Sequence, residues 1–223
     1  MKIFDKFDLG KIEITPFYTA DGKAVKNTYD FEFDGELIRL KASGGEIADE
    51  IIFKPNETGY SVRRVIKNLT DSTINLNSLG VTLSGITFGL KAKDDYFYSL
   101  ENARIYETST FPIDYKRTAN DASNSEFDVL ANNRWADPGV VRDEINASPY
   151  QPFPAILVSN YGCKRGLVHG SLSQDVFYHY YLLNHDDAGK IVMRAYSAFK
   201  DTAYIELKSG EYLCDEWYIG TTE

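Results

Sequence analysis

The sequence predicts an all-β protein, a large two-sheet antiparallel β-sandwich that carries one long loop/short-helix insertion. Three observations predict it. Apolar and polar residues alternate with period two through most of the 223 residues, the pattern of strands with one dry and one wet face. The chain has 16 Tyr and 13 Phe against two Met, so its bulky apolar residues are mostly the rigid, β-compatible kind. Turn dipeptides recur at short intervals between the alternating runs, and this many short strands stack as two sheets.

The elements follow in chain order. Ile12 and Ile14 alternate with Lys11 and Glu13, Phe31 and Phe33 with Glu32 and Asp34, and Ile38, Leu40 and Ala42 with Arg39 and Lys41. Asp21-Gly22 and Asp34-Gly35 are tight-turn dipeptides, and the second lies directly between two alternating runs, which predicts a β-hairpin. Residues 60–84 read as two or three strands with a turn at Asn68-Leu69-Thr70-Asp71. Within them Ile74 and Leu76 share one phase while Leu79, Val81 and Leu83 take the other, so a bulge or strand break is expected near Asn77-Ser78. Strands resume at 155–159, 166–172, 174–183, 191–196 and 204–207, and 213–220 is strand-like as well. Residues 176–183 are apolar or aromatic in both phases, which predicts a strand in the middle of a sheet covered on both faces.

Residues 108–154 break the alternation. Ser125, with Asp128 three residues later, opens a segment with Phe127, Leu130, Ala131 and Arg134 at helical spacing, and this weak capping box predicts one short helix over 125–135. Long connections of this kind are usually functional or disordered. This one holds Trp135, one of two tryptophans, within Asn132-Asn133-Arg134-Trp135-Ala136-Asp137-Pro138-Gly139. A pyranose offers an apolar C–H face for stacking and hydroxyls for planar polar groups. Trp135, Arg134, Asp137 and Tyr150 are therefore the candidate substrate-binding residues. The alternative is that Trp135 only plugs the loop onto the sandwich edge.

Charge and motifs exclude other classes. With 24 basic and 33 acidic residues the net charge is −9, and no Lys/Arg block could neutralise a row of phosphates, so no nucleic-acid partner is expected. No apolar run reaches the roughly 18 residues of a membrane span, and the start lacks the apolar core of a signal peptide, so no membrane partner and a cytoplasmic location are expected. Cys163 and Cys214 are read as reduced structural thiols. His169, His179 and His185 are the only histidines; their spacing makes no metal site, and they are expected to be structural. No nucleophile elbow or phosphate loop occurs, so no cofactor and no catalytic residue is assigned. The carboxylate pairs Asp94-Asp95, Asp186-Asp187 and Asp215-Glu216 diverge to opposite faces and are read as solvated turn charges. The sequons at Asn56, Asn68 and Asn146 are read as chance matches.

Arg64-x-Ile66-x-Asn68, the segment Pro152-Phe153-Pro154-Ala155-Ile156-Leu157-Val158 followed by Gly166-Leu167-Val168, and the closing Leu207-Lys208-Ser209-Gly210-Glu211 with Asp215-Glu216-Trp217 carry a family likeness. In these the chain resembles the N-terminal β-supersandwich of α-galactosidase-type glycoside hydrolases (family thirty-six and relatives), a galactose-mutarotase-like sandwich. The resemblance implies one domain over 1–223, with the insertion at 108–154, placed before a catalytic (β/α)₈ barrel that lies outside this chain and carries the catalytic aspartates. It implies a non-catalytic role in a glycoside hydrolase, with two partners: an α-galactoside-like carbohydrate and the protein's own C-terminal barrel. Without that barrel, an apolar patch near Trp217 and Tyr218 is expected to drive self-association. The alternatives are a free-standing carbohydrate-binding β-sandwich and a structural or interaction domain with no ligand.

Overall fold

The computed structural model describes residues 4, 7–42, 44–88, 96–102, 107–112, 145–146, 155–160, 165–173, 177–185, 188, 190–199 and 204–222. In chain order its strands are β1 (Glu13–Ala20), β2 (Lys23–Val25), β3 (Tyr29–Phe33), β4 (Ile38–Ala42), β5 (Ile47–Pro55), β6 (Gly59–Asn68), β7 (Ile74–Ile86) and β8 (Tyr96–Asn102). There follow β9 (Glu107–Pro112), β10 (Ile145–Asn146), β11 (Ala155–Asn160), β12 (Arg165–Ser171), β13 (Phe177–His185), β14 (Ile191–Phe199), β15 (Ile205–Leu207) and β16 (Tyr212–Thr222). No α-helix occurs among the described residues. The predicted helix over 125–135 lies outside them, and β9 and β10 fall within the 108–154 segment that the sequence left without strands.

The strands make two antiparallel sheets. One runs β10-β13-β14-β7-β1-β2, with β15 also on β7, and the other runs β3-β4-β5-β6-β16-β12-β11-β8-β9. The alternation in the sequence becomes alternation in burial. Along β6, Tyr60, Val62, Arg64, Ile66 and Asn68 point inward, and Ser61, Arg63 and Lys67 face solvent.

Turn chemistry sets the register at three places. Asp21 (φ 49°) and Gly22 (φ 72°) form the two-residue link from β1 to β2, the positive-φ pair that matches strand twist. The Asp34-Gly35 hairpin forms as expected, though with a four-residue loop: Asp34 Oδ1 accepts from the backbone N–H of Glu36 and Leu37, and Phe33 pairs with Ile38. The phase change in β7 is a β-bulge. Thr19 pairs with Ser78 and Ala20 with Leu76, leaving Asn77 as the extra residue, whose Oδ1 accepts from Gly22 N at 3.0 Å.

Strand β13 departs from expectation. It pairs along its length with β14, but its other described neighbour is the two-residue β10, so it lies toward one end of the described sheet instead of its middle. Its aromatic content reads as cover on both faces, yet two inward residues, His179 and Tyr181, carry polar groups used in the interior.

The inward faces form two apolar clusters. The larger gathers Leu40, Ile51, Phe53, Val62, Leu83 and Trp217 among others, and Phe4 and Phe7 from the N-terminal segment plug into it; the smaller holds Tyr18, Ile47, Ile66, Ile74, Leu76, Leu79 and Leu207. Three neighbouring strands cross from one cluster to the other, and each carries a charged residue at the crossing. The order is Ile47, Asp49, Ile51 on β5; Ile66, Arg64, Val62 on β6; and Leu213, Asp215, Trp217 on β16. A polar belt thus separates two greasy halves.

The expected apolar patch is not at Trp217, which is 3% exposed, and Tyr218 is half-buried with its hydroxyl 2.9 Å from Thr58 Oγ1. The exposed aromatics among the described residues are Phe31 and Phe33 on the edge strand β3, Tyr204, and Tyr212 at the start of β16. The register explains this: Asp215 and Trp217 share the inward phase of β16, so the Trp belongs to the core.

Candidate functional site

The residues singled out for a sugar site, Trp135, Arg134, Asp137 and Tyr150, all lie outside the described residues. What the structure does assemble is the interlayer belt, and Arg64 is its anchor. Rooted on β6, its side chain crosses to the opposite sheet. Nε and Nη2 donate to Asp49 Oδ1 and Oδ2 at 2.9 and 2.6 Å, and Nη1 donates to the carbonyls of Phe17 and Gly80, both at 2.9 Å. The guanidinium is 1% exposed and Asp49 2%. Burial opposes its charge, but the bidentate carboxylate more than offsets that and holds its pKa above the ordinary value. The Tyr29 hydroxyl donates to Asp49 Oδ2 as well. Burial, more than the neighbouring charges, raises the pKa of that phenol.

Gly80 is closely packed by its neighbours on β1 and β14. A Cβ there would sit 2.3 Å from Phe17 Cζ and 2.8 Å from the Ala195 carbonyl oxygen.

Asp215 lies directly across from Arg64 in the β16–β6 register, yet the guanidinium has already been matched by Asp49. One of its oxygens turns to the other sheet. Ser197 Oγ on β14 lies 3.0 Å from Asp215 Oδ2 and 3.0 Å from His179 Nδ1 on β13. Burial pushes the Asp215 carboxyl up to about 7, against the Ser197 hydrogen bond and the Arg64 charge, which lower it. The sequence reading of Asp215-Glu216 is therefore corrected in part: the two do diverge to opposite faces, with Glu216 exposed, but Asp215 is a buried strand residue and not a solvated turn charge. The alternation of β16 puts it inside.

His169 on β12 completes the group. Its ring stacks on Trp217 at 4.8 Å between centroids and 24° between planes, and its Nδ1 lies 3.4 Å from the Tyr181 hydroxyl, which donates to the His169 carbonyl at 3.3 Å. Burial, with a smaller contribution from His179, holds this imidazole down to about 3, so it is neutral at physiological pH.

The chemistry open to this arrangement is limited by space. In a hydrolytic triad the imidazole stands between serine and carboxylate; here Ser197 stands between His179 and Asp215, a different order. The cavity at the belt offers ≈ 10 Å³ to the centre of a water molecule, against the roughly 300–1,000 Å³ of small-molecule pockets. No hexose enters it. Among the described residues no group of three His, Cys, Asp or Glu could hold a metal ion, and no helix is long and apolar enough to cross a membrane. Cys214 is a free thiol that accepts from Arg63 Nε at 3.1 Å; Cys163 lies outside the described residues. Asn68, expected as a chance sequon, is fully buried, and its Nδ2 donates to the Ser72 and Leu207 carbonyls at 2.6 and 2.8 Å, so a glycan cannot be carried there in the folded state.

No protein-family model matches the sequence, and no curated protein does. Solved structures do share its fold. A galactose mutarotase-like protein from Lactobacillus casei superposes with a TM-score of 0.56 at 11% identity, covering 95% of this chain and 85% of that one. The fold is a galactose mutarotase-like sandwich. A second galactose mutarotase-like protein, from Clostridium acetobutylicum, gives 0.51 at 9% identity over 99% of this chain and 82% of its own. An α-N-acetylgalactosaminidase from Bifidobacterium bifidum gives 0.50 at 10% identity, matching 92% of this chain but 30% of the enzyme.

The sequence reading missed the belt. Its signal was available: Arg64, Asp215, Asp49 and His169 each occupy an apolar phase of an alternating strand, where a charge or imidazole needs an interior partner.

Proposed function

We propose that this chain is the non-catalytic sandwich domain of an α-galactosidase-like glycoside hydrolase. In this reading it supports a C-terminal catalytic barrel and contributes to carbohydrate binding through Trp135, Arg134, Asp137 and Tyr150. The observation that carries the non-catalytic part is the tightly filled interior. The buried carboxylates described, Asp49 and Asp215, both belong to a belt with room for about one water, whereas retaining hydrolysis needs two carboxyl groups about 5–5.5 Å apart on either side of a bound sugar. The carbohydrate context rests on the fold, which the Bifidobacterium enzyme contains as under a third of its length.

A fluorescence titration tests the binding part, because the two tryptophans separate cleanly. Trp217 is buried against His169 and serves as the internal reference. Galactose or raffinose should change the emission with a Kd of about 1 mM, equivalent to roughly 4 kcal/mol, and Trp135→Ala should abolish the change without altering the melting temperature. An unchanged wild-type spectrum, or a variant that melts many degrees lower, would make Trp135 a packing residue. Aryl α-galactosides incubated with the purified chain should release no leaving group; steady release would overturn the non-catalytic assignment.

A second reading, a free-standing carbohydrate-binding sandwich, is favoured by the Lactobacillus casei protein, 85% of which this chain covers. Micromolar saccharide affinity of the chain alone would select it.

A further inference from the structure

Strand β3 ends the broad sheet: among the described residues it pairs with β4 alone. An edge strand aims the N–H and C=O groups of alternate residues away from its own sheet, which makes it a template for one more strand. Natural edges are commonly blunted by a bulge, a proline or lysines. Tyr29–Phe33 has none of these, and its pairing with β4 is unbroken over five residues.

The apolar rows of the inner face run out to this edge and stop there uncovered. Phe31 pairs with Leu40 and Leu40 with Ile51, and exposure climbs outward along the row from 0% at Ile51 through 2% at Leu40 to 50% at Phe31. The row beside it runs from the fully buried Phe53 through the half-buried Ile38 to Phe33, which is 62% exposed. A further strand would add the next apolar residue to each row, close enough to cover the phenyl rings.

The other phase of β3 selects the partner. Residues 29–36 place an acid at every second position, Asp30, Glu32, Asp34 and Glu36, with no base among them. Lys41 stands across from Asp30 in the register, yet its Nζ lies 2.8 Å from Glu32 and 3.9 Å from Glu50, so Asp30 has no ion pair among the described residues. A second copy of this edge does not fit. Any pairing of two β3 strands that keeps aromatic with aromatic also sets acid against acid, and like charges directly opposite are destabilising. A strand that alternates basic and apolar residues fits in both phases, with its bases across from Asp30 and Glu32 and its apolar residues across from Phe31 and Phe33.

We propose that the outer edge of β3 is a docking site for an extended segment of a partner protein in which Lys or Arg alternates with apolar residues, added to the broad sheet as a further strand.

A short capped peptide in which Lys alternates with Val tests this on the folded chain, by isothermal titration calorimetry and by hydrogen exchange of the backbone amides. The expected result is saturable binding with slowed exchange confined to residues 29–33. Replacing Lys by Glu in the peptide should weaken binding at least about tenfold, and N-methylating alternate backbone nitrogens, which keeps the charge, should abolish it. Phe31→Ser and Phe33→Ser, both at exposed positions, should each weaken it about tenfold, and Asp30→Lys with Glu32→Lys should reverse the preference between the Lys and Glu peptides. Absent binding, equal affinity for the Lys and Glu peptides, binding that survives N-methylation or protection elsewhere would overturn the proposal. So would protection of residues 29–33 that grows with protein concentration in the absence of peptide, since the occupant would then be a second copy. The peptide comparisons on the wild type decide without any variant.

Discussion

Replacing Asp215 by Asn should change how stability depends on pH more than it changes stability itself. The folded carboxyl titrates at about 7 and the reference value is 3.8, so between about pH 4 and pH 7 the native state holds a proton that the unfolded chain has released. Stability from this group is present at low pH and is lost as pH rises through that window, by about 1.4 kcal/mol per unit. Over roughly three units the loss is on the order of 4 kcal/mol. His169 works in the opposite sense. Its folded value of about 3 lies below the ordinary 6.5, so its contribution is present above pH 6.5 and lost on acidification. Between pH 4 and pH 6.5 the two cancel, since folding takes up one proton at Asp215 and releases one at His169. The wild type should therefore show little slope from the pair, and the variant should unmask it.

The groups facing Asp215 from other elements are Arg64 on β6, His169 on β12, His179 and Tyr181 on β13, and Ser197 on β14, while Glu216 points away. Surface carboxylates are common to both proteins, so they drop out of the difference. Urea titrations at pH 5 and pH 8, followed by far-UV circular dichroism, measure it. The asparagine variant should gain on the wild type by several kcal/mol from the lower to the higher pH. An equal gap at both pH values would show that the buried carboxyl is not protonated and that the reasoning fails.

Arg64→Met leaves Asp49 buried without its bidentate partner and should cost about 3–5 kcal/mol, whereas Arg64→Met with Asp49→Leu should recover most of that; equal losses in a double-mutant cycle would contradict the pairing. Asn68→Ala strips the carbonyls of Ser72 and Leu207 of a donor and should lower stability by about 1–3 kcal/mol in a denaturant titration. Gly80→Ala places a methyl against Phe17 and the Ala195 carbonyl, an overpacking of about 1–3 kcal/mol visible as a lower melting temperature.

The strands were legible because burial follows period two, and the phase slip from Leu76 to Leu79 was enough to locate the bulge at Asn77. Strand β5 went unread for a physical reason: Asp49 occupies the inward phase between Ile47 and Ile51, and a charge there looks like an interruption of the apolar pattern. The same masking hid the belt, since Arg64 and Asp215 look exposed unless each is known to face a partner. Which strands are neighbours was not legible at all. Pairing β16 with β6 joins residues about 150 apart, and no local pattern encodes that. The candidate sugar residues, drawn from the insertion, lie outside the described residues.

The place of β16 has a consequence for how the protein is made. It lies between β6 and β12, so among the described residues the broad sheet consists of β3-β4-β5-β6 on one side and β12-β11-β8-β9 on the other, joined through residues 212–222. A chain emerging from the ribosome at about 5–20 residues per second therefore carries two half-sheets, each with a bare inner edge, until residues 212–222 are translated. Those edges are templates for pairing with another nascent chain. The interval before β16 arrives is when this sandwich is most exposed to aggregation and to chaperone capture, and a ribosome stalled shortly before residue 212 would hold it there.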